Sequence, residues 1–96
     1  MVGVIDPDQR VRLRSGAVVW HEVDGEVLGL ALAAGEYVAA NRSATALWRM
    51  LERGASPREL GDALAQTWGL DGTRALADAE RFVAEVDRQE LLELAA

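Results

Sequence analysis

Side chains that could support nucleophilic or metal chemistry are scarce in this 96-residue chain, which has one histidine, three serines and no cysteine. A catalytic His21 would need a nucleophile beside it. Ser43 and Ser56 instead stand where helices are expected to begin, a position in which serine caps free backbone N–H groups. The sixteen acidic residues form neither an acid/base pair nor the Asp-x-Asp loop of a calcium site. We therefore expect no catalytic residue, no metal and no cofactor, and a function other than catalysis.

The composition predicts one small globular domain. Half of the residues are apolar, too many for a disordered chain, and 96 residues are too few for two self-sufficient cores. We divide residues 1–96 into an N-terminal extension (1–16), a sheet (17–40), and helices with a C-terminal tail (41–96). The chain has no cysteine, no signal-peptide pattern at its start, and no apolar run of about 20 residues. These features predict a cytoplasmic protein without membrane contact.

The charge argues against nucleic acid as a partner. The formal net charge is −6, and all ten basic residues are arginines. An acidic protein repels phosphate backbones unless it carries a local basic patch. The arginines of Arg10–Arg14 alternate with apolar residues, which is typical of the solvent face of a short strand.

The first half of the chain has the pattern of a three-stranded antiparallel meander. Val18–Val23 is rich in β-branched and aromatic residues, and Asp24-Gly25 is a favoured two-residue hairpin turn. Glu26–Leu32 alternates, with its leucines at positions 28, 30 and 32 on one face. Ala33–Gly35 then supplies a turn before a short third strand, Glu36–Ala40.

The second half predicts three helices. The first begins near Asn41 or Ser43 and stops at Gly54. The second begins with the capping box of Ser56–Glu59, which includes a proline at the first helical position, and stops at Gly69. The third runs from Asp71 to about Gln89, and the leucines after it form a tail that packs on the core. Together, the two halves predict an α+β fold.

Helical spacing predicts which residues of these helices form the core. Trp48 and Trp68 lie on apolar stripes and are expected to be buried, whereas Trp20 could face either way on its strand. The inner stripe of the third helix is expected to consist of Ala75, Ala79, Phe82 and Val86.

The third strand is the feature most suggestive of function. It lies at a sheet edge and has neither lysine nor proline, two residues that commonly block edge pairing. An extended peptide could add to it as a further strand. Leu76 and Val83 widen the apolar arc of the third helix and could form the opposite wall of a groove, or they could pack on neighbouring elements. The expected peptide-binding residues are Glu36, Tyr37, Val38, Ala39, Leu76, Glu80, Val83 and Asp87.

Several motifs resemble those of the PqqD-like family. They are Gly25-Glu26-Val27-Leu28, then Gly35 to Asn41 with its Gly-x-Tyr pattern, then Ala44 to Leu51 with its Trp-x-x-Leu ending. The resemblance continues through Ser56–Leu60, Asp78–Val86 and Leu91-Leu92, so that it spans about residues 17–94. Each motif is weak alone, but their order and spacing are more specific.

The resemblance implies a recognition element for ribosomally made, post-translationally modified peptides (RiPPs), with a fold similar to a winged helix-turn-helix. Such elements bind the leader segment of a precursor peptide beside the third strand and against the third helix. Small stand-alone members resemble those of lasso-peptide systems. The implied partners are the precursor leader, a leader protease similar to transglutaminase-like cysteine peptidases, and an asparagine-synthetase-like cyclase.

One departure and three alternatives accompany the resemblance. Family members commonly carry a bulky residue after the tyrosine and a leucine before the asparagine, where this chain has Val38 and Ala40.

The alternative functions are a peptide chaperone for pyrroloquinoline quinone or radical-enzyme pathways, a dimerisation module that pairs through the free edge, and a DNA-binding winged-helix regulator. The last would read DNA with the helix from Ser56 to Trp68, which offers only Arg58 as a basic residue.

Overall fold

A computed structural model describes residues 5–95 and has an α+β architecture, as predicted. In chain order the elements are β1 (Val11–Leu13), β2 (Val18–Val23), β3 (Glu26–Ala31), β4 (Glu36–Ala40), α1 (Arg42–Arg53), α2 (Pro57–Trp68), α3 (Gly72–Arg88) and β5 (Leu92–Leu94).

Strands β2, β3 and β4 form the expected antiparallel meander, in that spatial order. The β2–β3 hairpin turns through Asp24 and Gly25, whose φ angles of 52° and 80° are left-handed. Both residue types tolerate this conformation, which lets a two-residue turn follow the twist of the strands. The turn fixes the register, in which Val23 pairs with Glu26.

The N-terminal extension contributes more to the fold than the sequence indicates. Its β1 pairs with β5 in a separate antiparallel sheet, with Val11 opposite Leu94. Val11 is fully buried, and its backbone N–H and C=O each form a 2.9 Å hydrogen bond with Ala55. Pairing of the two chain ends therefore closes one side of the core.

Each helix begins where the sequence predicts, and a side chain caps each start. The expected capping role of Ser43 is wrong, because this residue lies inside α1 and its hydroxyl donates to the Asn41 Oδ1 at 3.0 Å. The Asn41 side chain accepts a hydrogen bond from the Ala44 N–H at the start of α1. A complete capping box joins Ser56 and Glu59 in α2. The Asp71 carboxylate caps α3. These side chains satisfy N–H groups that have no partner within the helix.

The tryptophans differ in their environments. Trp48 is fully buried, as predicted, and the Trp20 ring meets it edge-on with centroids 5.6 Å apart. The prediction that Trp68 lies in the core is wrong, because its side chain is 52% exposed at the end of α2. An aromatic residue in the last turn of a helix can continue the apolar stripe and still lie beyond the neighbouring helix.

The meander carries apolar residues on the face that points away from the helices. Val27 and Ala31 of β3 are buried against the helices, whereas the leucines at 28, 30 and 32 are exposed. Val19 lies opposite Leu30, which in turn lies opposite Tyr37, and all three are exposed. We refer to Val19, Leu28, Leu30 and Tyr37 as the outer sheet face.

Close contact between α2 and α3 determines which side of α3 is buried. A Cβ atom at Gly61 would lie 3.0 Å from the Leu76 Cα, so the glycine allows the two backbones to approach. The buried apolar stripe consists of Ala75, Ala79, Val83 and Val86. The expected stripe is therefore wrong at one position, because Val83 replaces Phe82, which is only partly buried.

Residues 5–95 contain no helix that is both long and apolar enough to cross a membrane. Within the same range, no group of three or more His, Asp or Glu side chains is placed to hold a metal ion.

Candidate functional site

Strand β4 presents a free edge, since none of the strands in residues 5–95 pairs with its outer side. The Leu32 N–H bonds the Ala17 carbonyl at 2.9 Å, so the even-numbered residues of β3 bond towards β2. Ladder bonds alternate along antiparallel pairs, and the odd-numbered residues of β3 therefore bond the even-numbered residues of β4. Tyr37 and Ala39 consequently direct their N–H and C=O groups away from the sheet, where an added strand can bond them.

A threonine from α1 completes the inner side of β4 at its C-terminal end. The Thr45 hydroxyl accepts a hydrogen bond from the Val27 N–H at 3.0 Å and donates one to the Ala40 carbonyl at 3.1 Å. It therefore bridges two strands at the point where the chain leaves the sheet to enter α1, and it holds β4 in place while the outer edge remains free.

A groove of about 370 Å³ runs between β4 and α3. Trp48 and Ala44 of α1 lie along its floor. The indole Nε1 of Trp48 is buried and finds no hydrogen-bond acceptor among residues 5–95. The lining residues from α3 are Phe82, Glu85, Val86 and Gln89. The groove thus combines an apolar surface with the backbone hydrogen-bonding groups of a strand edge.

Arg88 links the two walls of this groove at one end. Its guanidinium lies 3.9 Å from the Glu36 carboxylate of β4 and 2.7 Å from that of Glu85. The hydrogen bond from Arg88 lowers the pKa of Glu85, and the same contact raises the pKa of the arginine. Both groups are exposed, so the link can open to solvent.

Three of the four expected site residues of the strand, Tyr37, Val38 and Ala39, line the groove, and Glu36 lies beside its end near Arg88. The Tyr37 side chain is 88% exposed on the outer sheet face, and Val38 points inward. Glu36 and Ala39 are exposed. Binding by this segment would therefore use the backbone of Tyr37 and Ala39 together with the side chains on either side of the sheet.

The four expected residues of α3 do not line this groove, which corrects their expected position. Val83 is 1% exposed and belongs to the core, and Leu76 packs against α2 beside Gly61. Asp87 is also buried, and its Oδ1 has no hydrogen-bond partner among residues 5–95. Glu80 is partly buried and is not part of the groove lining. The contact with α2 turns this side of α3 away from β4.

Other residues of α3 line the groove, and they lie on the face of the helix next to the expected one. Phe82, Glu85, Val86 and Gln89 follow one another at spacings of three, one and three. Phe82 carries the signal that could have identified them, because the large aromatic side chain lies beside an already complete stripe of small core residues. The glycine at position 61, inside α2, indicates close packing, but the sequence does not show that its partner is α3, which sets this rotation.

The three-stranded meander followed by three helices defines a winged helix-turn-helix-like α+β fold. The family model for coenzyme PQQ synthesis protein D (PqqD) matches residues 26–92. The chain therefore belongs to the PqqD family, and the match includes β4, α3 and the groove between them.

Two solved structures are similar to this chain. One is TbiB1 in complex with the TbiA(beta) leader peptide, with 32% sequence identity, a TM-score of 0.76, and coverage of 88% of this chain and 98% of that one. The other is lasso peptide synthetase B1 complexed with the leader peptide. It has 23% identity, a TM-score of 0.73, and coverage of 86% and 96% respectively, and it supports the fold alone. No curated protein matches the chain.

Proposed function

We propose that this chain is a RiPP recognition element that binds the leader segment of a precursor peptide as an added strand on β4. The observation that carries the proposal is the free edge of β4 beside a groove lined by both apolar and polar side chains. The leader-peptide complex of TbiB1, which is 32% identical to this chain, supports it. An antiparallel orientation is favoured, because antiparallel pairs are slightly more stable than parallel ones and every strand pair described here is antiparallel.

The groove determines which side chains such a peptide would place against α3. Phe82 and Val86 offer apolar contact, and the small side chains of Ala40 and Ala44 leave room for a large residue. A tyrosine is a suitable occupant because its ring can be buried while its hydroxyl meets a polar lining residue such as Gln89. Glu36, Tyr37, Val38 and Ala39 remain the proposed strand contacts.

In this proposal the bound leader is delivered to separate enzymes of lasso-peptide biosynthesis in the cytoplasm. These are a leader protease of the transglutaminase-like cysteine peptidase type and an asparagine-synthetase-like cyclase. The outer sheet face supports delivery, because exposed apolar patches commonly mark protein interaction sites and Tyr37 lies at the edge where the leader would bind. The recognition element itself would contribute binding and no catalytic group.

A displayed library of random 24-residue peptides, selected on the immobilised chain, provides a probe that does not require the natural precursor. Ala39→Pro removes one outward N–H group and should abolish binding of the selected peptides. Val18→Pro is the matched control, because the same alternation directs the Val18 N–H outward from the opposite edge of the sheet. Edge strands tolerate proline at such positions.

We expect Val18→Pro to retain binding and both variants to retain the far-ultraviolet circular dichroism spectrum of the parent. Amide NMR shifts should also concentrate on β4 and the facing side of α3. Failure to select any peptide, or equal losses from both variants, would contradict the proposed function.

A further inference from the structure

A second cleft, larger than the β4 groove, adjoins it and measures about 850 Å³. It lies where the N-terminal end of α1 meets the C-terminal end of α2 and the first half of α3. Its apolar lining is provided by Leu47, Leu64, Trp68, Leu70 and Phe82. The Trp68 side chain is 52% exposed in this cleft, and the fold does not require a large apolar residue at an exposed position.

The rim of this cleft is more basic than the rest of the chain. Arg42, Arg74 and Arg81 line it, and the only carboxylates in the same lining are Glu26 and Asp78. Asp78 is shared, since it lies 3.9 Å from Arg74 and 3.3 Å from Arg81. Three arginines against two carboxylates leave a local positive excess in a chain whose net charge is −6.

Arg42 extends over the β2–β3 turn, where its Nε lies 3.6 Å from the place that a Cβ atom of Gly25 would occupy. It is the first residue of α1, and the first turn of that helix contains no acidic residue. A cation is unfavourable there because the N-terminal end of a helix already carries a partial positive charge. Within residues 5–95, no carboxylate lies within 4.0 Å of its guanidinium. Arg42 and the helix end therefore both favour an anion in the cleft.

The cleft continues the β4 groove. Asn41, Ala44 and Phe82 line both cavities, so the two meet at the C-terminal end of β4. The opposite end of the groove has the reverse charge balance, because Arg88 faces both Glu36 and Glu85 there. A peptide that follows β4 and extends past Ala40 would therefore pass from an acidic end to a basic end.

We propose that this cleft is a second subsite for the peptide, which takes an acidic side chain and an adjacent apolar one from the segment that precedes the added strand. The inference rests on the proposed function, and it specifies the chemistry of the ligand beyond the strand. An antiparallel peptide has its N-terminal part beside Ala40, which places the residues before the strand in the cleft. Asp or Glu would pair with Arg42, and the apolar neighbour would pack on Trp68 and Phe82.

The test uses the peptides selected from the random library. A scan of single N-methylated residues locates the segment that pairs with β4, because N-methylation removes the backbone donor. We expect Asp and Glu to be enriched at positions N-terminal to that segment. Arg42→Glu should weaken binding about tenfold, whereas Arg53→Glu, the same change at the other end of α1, should have little effect.

Reversing the charge on both the peptide and the protein gives a second test, because an unfolded variant could not bind the altered peptide more tightly. A selected peptide whose N-terminal acidic residue is replaced by lysine should bind Arg42→Glu more tightly than it binds the parent chain. If Ala39→Pro abolishes binding but acidic residues are not enriched and both arginine variants behave alike, the subsite is wrong and the strand-addition function stands.

Two further outcomes would also overturn the subsite. Enrichment of acidic residues on the C-terminal side of the paired segment would contradict the proposed direction. Tight binding of a 20-nucleotide single-stranded DNA that is lost in Arg42→Glu would assign the cleft to nucleic acid instead.

Discussion

The hydroxyl of Thr45 accepts a hydrogen bond from the Val27 N–H at 3.0 Å and thereby connects α1 to the middle strand of the meander. The same hydroxyl donates to the Ala40 carbonyl, and Thr45 is buried. Thr45→Val keeps the shape of the side chain but leaves the Val27 N–H and the Ala40 carbonyl without this hydrogen-bond partner. We expect unfolding in urea to show a loss of about 1–3 kcal/mol, the usual cost of unsatisfied buried polar groups.

Thr45→Ser is the matched variant for this prediction. It retains the hydroxyl and loses only a methyl group, so it should be more stable than Thr45→Val even though valine buries more apolar surface. If the valine variant proved the more stable of the two, the bridge would make no net contribution to the position of β4.

The approach of α2 to α3 at Gly61 gives a second prediction. Gly61→Ala would place a Cβ atom 3.0 Å from the Leu76 Cα, which forces the helix backbones apart. Overpacking of this kind typically costs about 1–3 kcal/mol, which equals or exceeds the ~1 kcal/mol that alanine gains over glycine within a helix.

Gly72→Ala serves as the control in the same helix pair, because a Cβ atom there meets nothing within 4 Å. Thermal unfolding should show a lower midpoint for Gly61→Ala and an unchanged or higher one for Gly72→Ala. Equal midpoints would mean that the two helices separate at negligible cost.

Local patterns in the sequence predict most of the secondary structure. The Asp24-Gly25 turn, the capping box at Ser56 and the stop at Gly54 each act within a few residues, and each lies where expected. The pairing of β1 with β5 is different, because it joins residues about eighty positions apart. Three-residue strands carry too little periodicity to reveal such a partner.

The site shows the same division between local and long-range information. The open edge of β4 could be predicted, because it follows from the order of three strands and the absence of blocking residues. The wall formed by α3 could not, since the rotation of that helix depends on the Gly61 contact with Leu76. That contact buries Val83 and leaves Phe82 facing β4.

Because of this rotation, the same substitution at the adjacent residues Phe82 and Val83 should have different effects. Val83→Glu would bury an unpaired carboxylate in the core and should prevent folding, since such groups cost several kcal/mol. Phe82→Glu alters a partly buried groove residue, so the chain should remain folded and bind the selected peptides at least tenfold less tightly. Circular dichroism and fluorescence polarisation distinguish the two results. A folded Val83→Glu with normal affinity would contradict the position of α3 described here.

Arg49 joins the sheet to α1 through its ion pair with Glu22. The guanidinium Nε donates to a carboxylate oxygen at 2.6 Å, and a second nitrogen bonds the other oxygen. This hydrogen bonding lowers the pKa of Glu22 below its ordinary value. A carboxylate with a lowered pKa in the folded state stabilises the fold above its unfolded pKa, and the contribution disappears as the pH falls through the folded value.

Arg49→Gln should therefore reduce the urea midpoint at pH 7 and have progressively less effect as the solution is acidified below the ordinary pKa of glutamate. The difference should also shrink in 1 M salt, because both side chains are accessible to solvent and screening acts strongly on exposed pairs. Arg53→Gln, in the last turn of the same helix, controls for loss of a positive charge and should lack this pH dependence. A midpoint difference that stays constant between pH 7 and pH 3 would show that Arg49 acts through packing of its aliphatic chain rather than through Glu22.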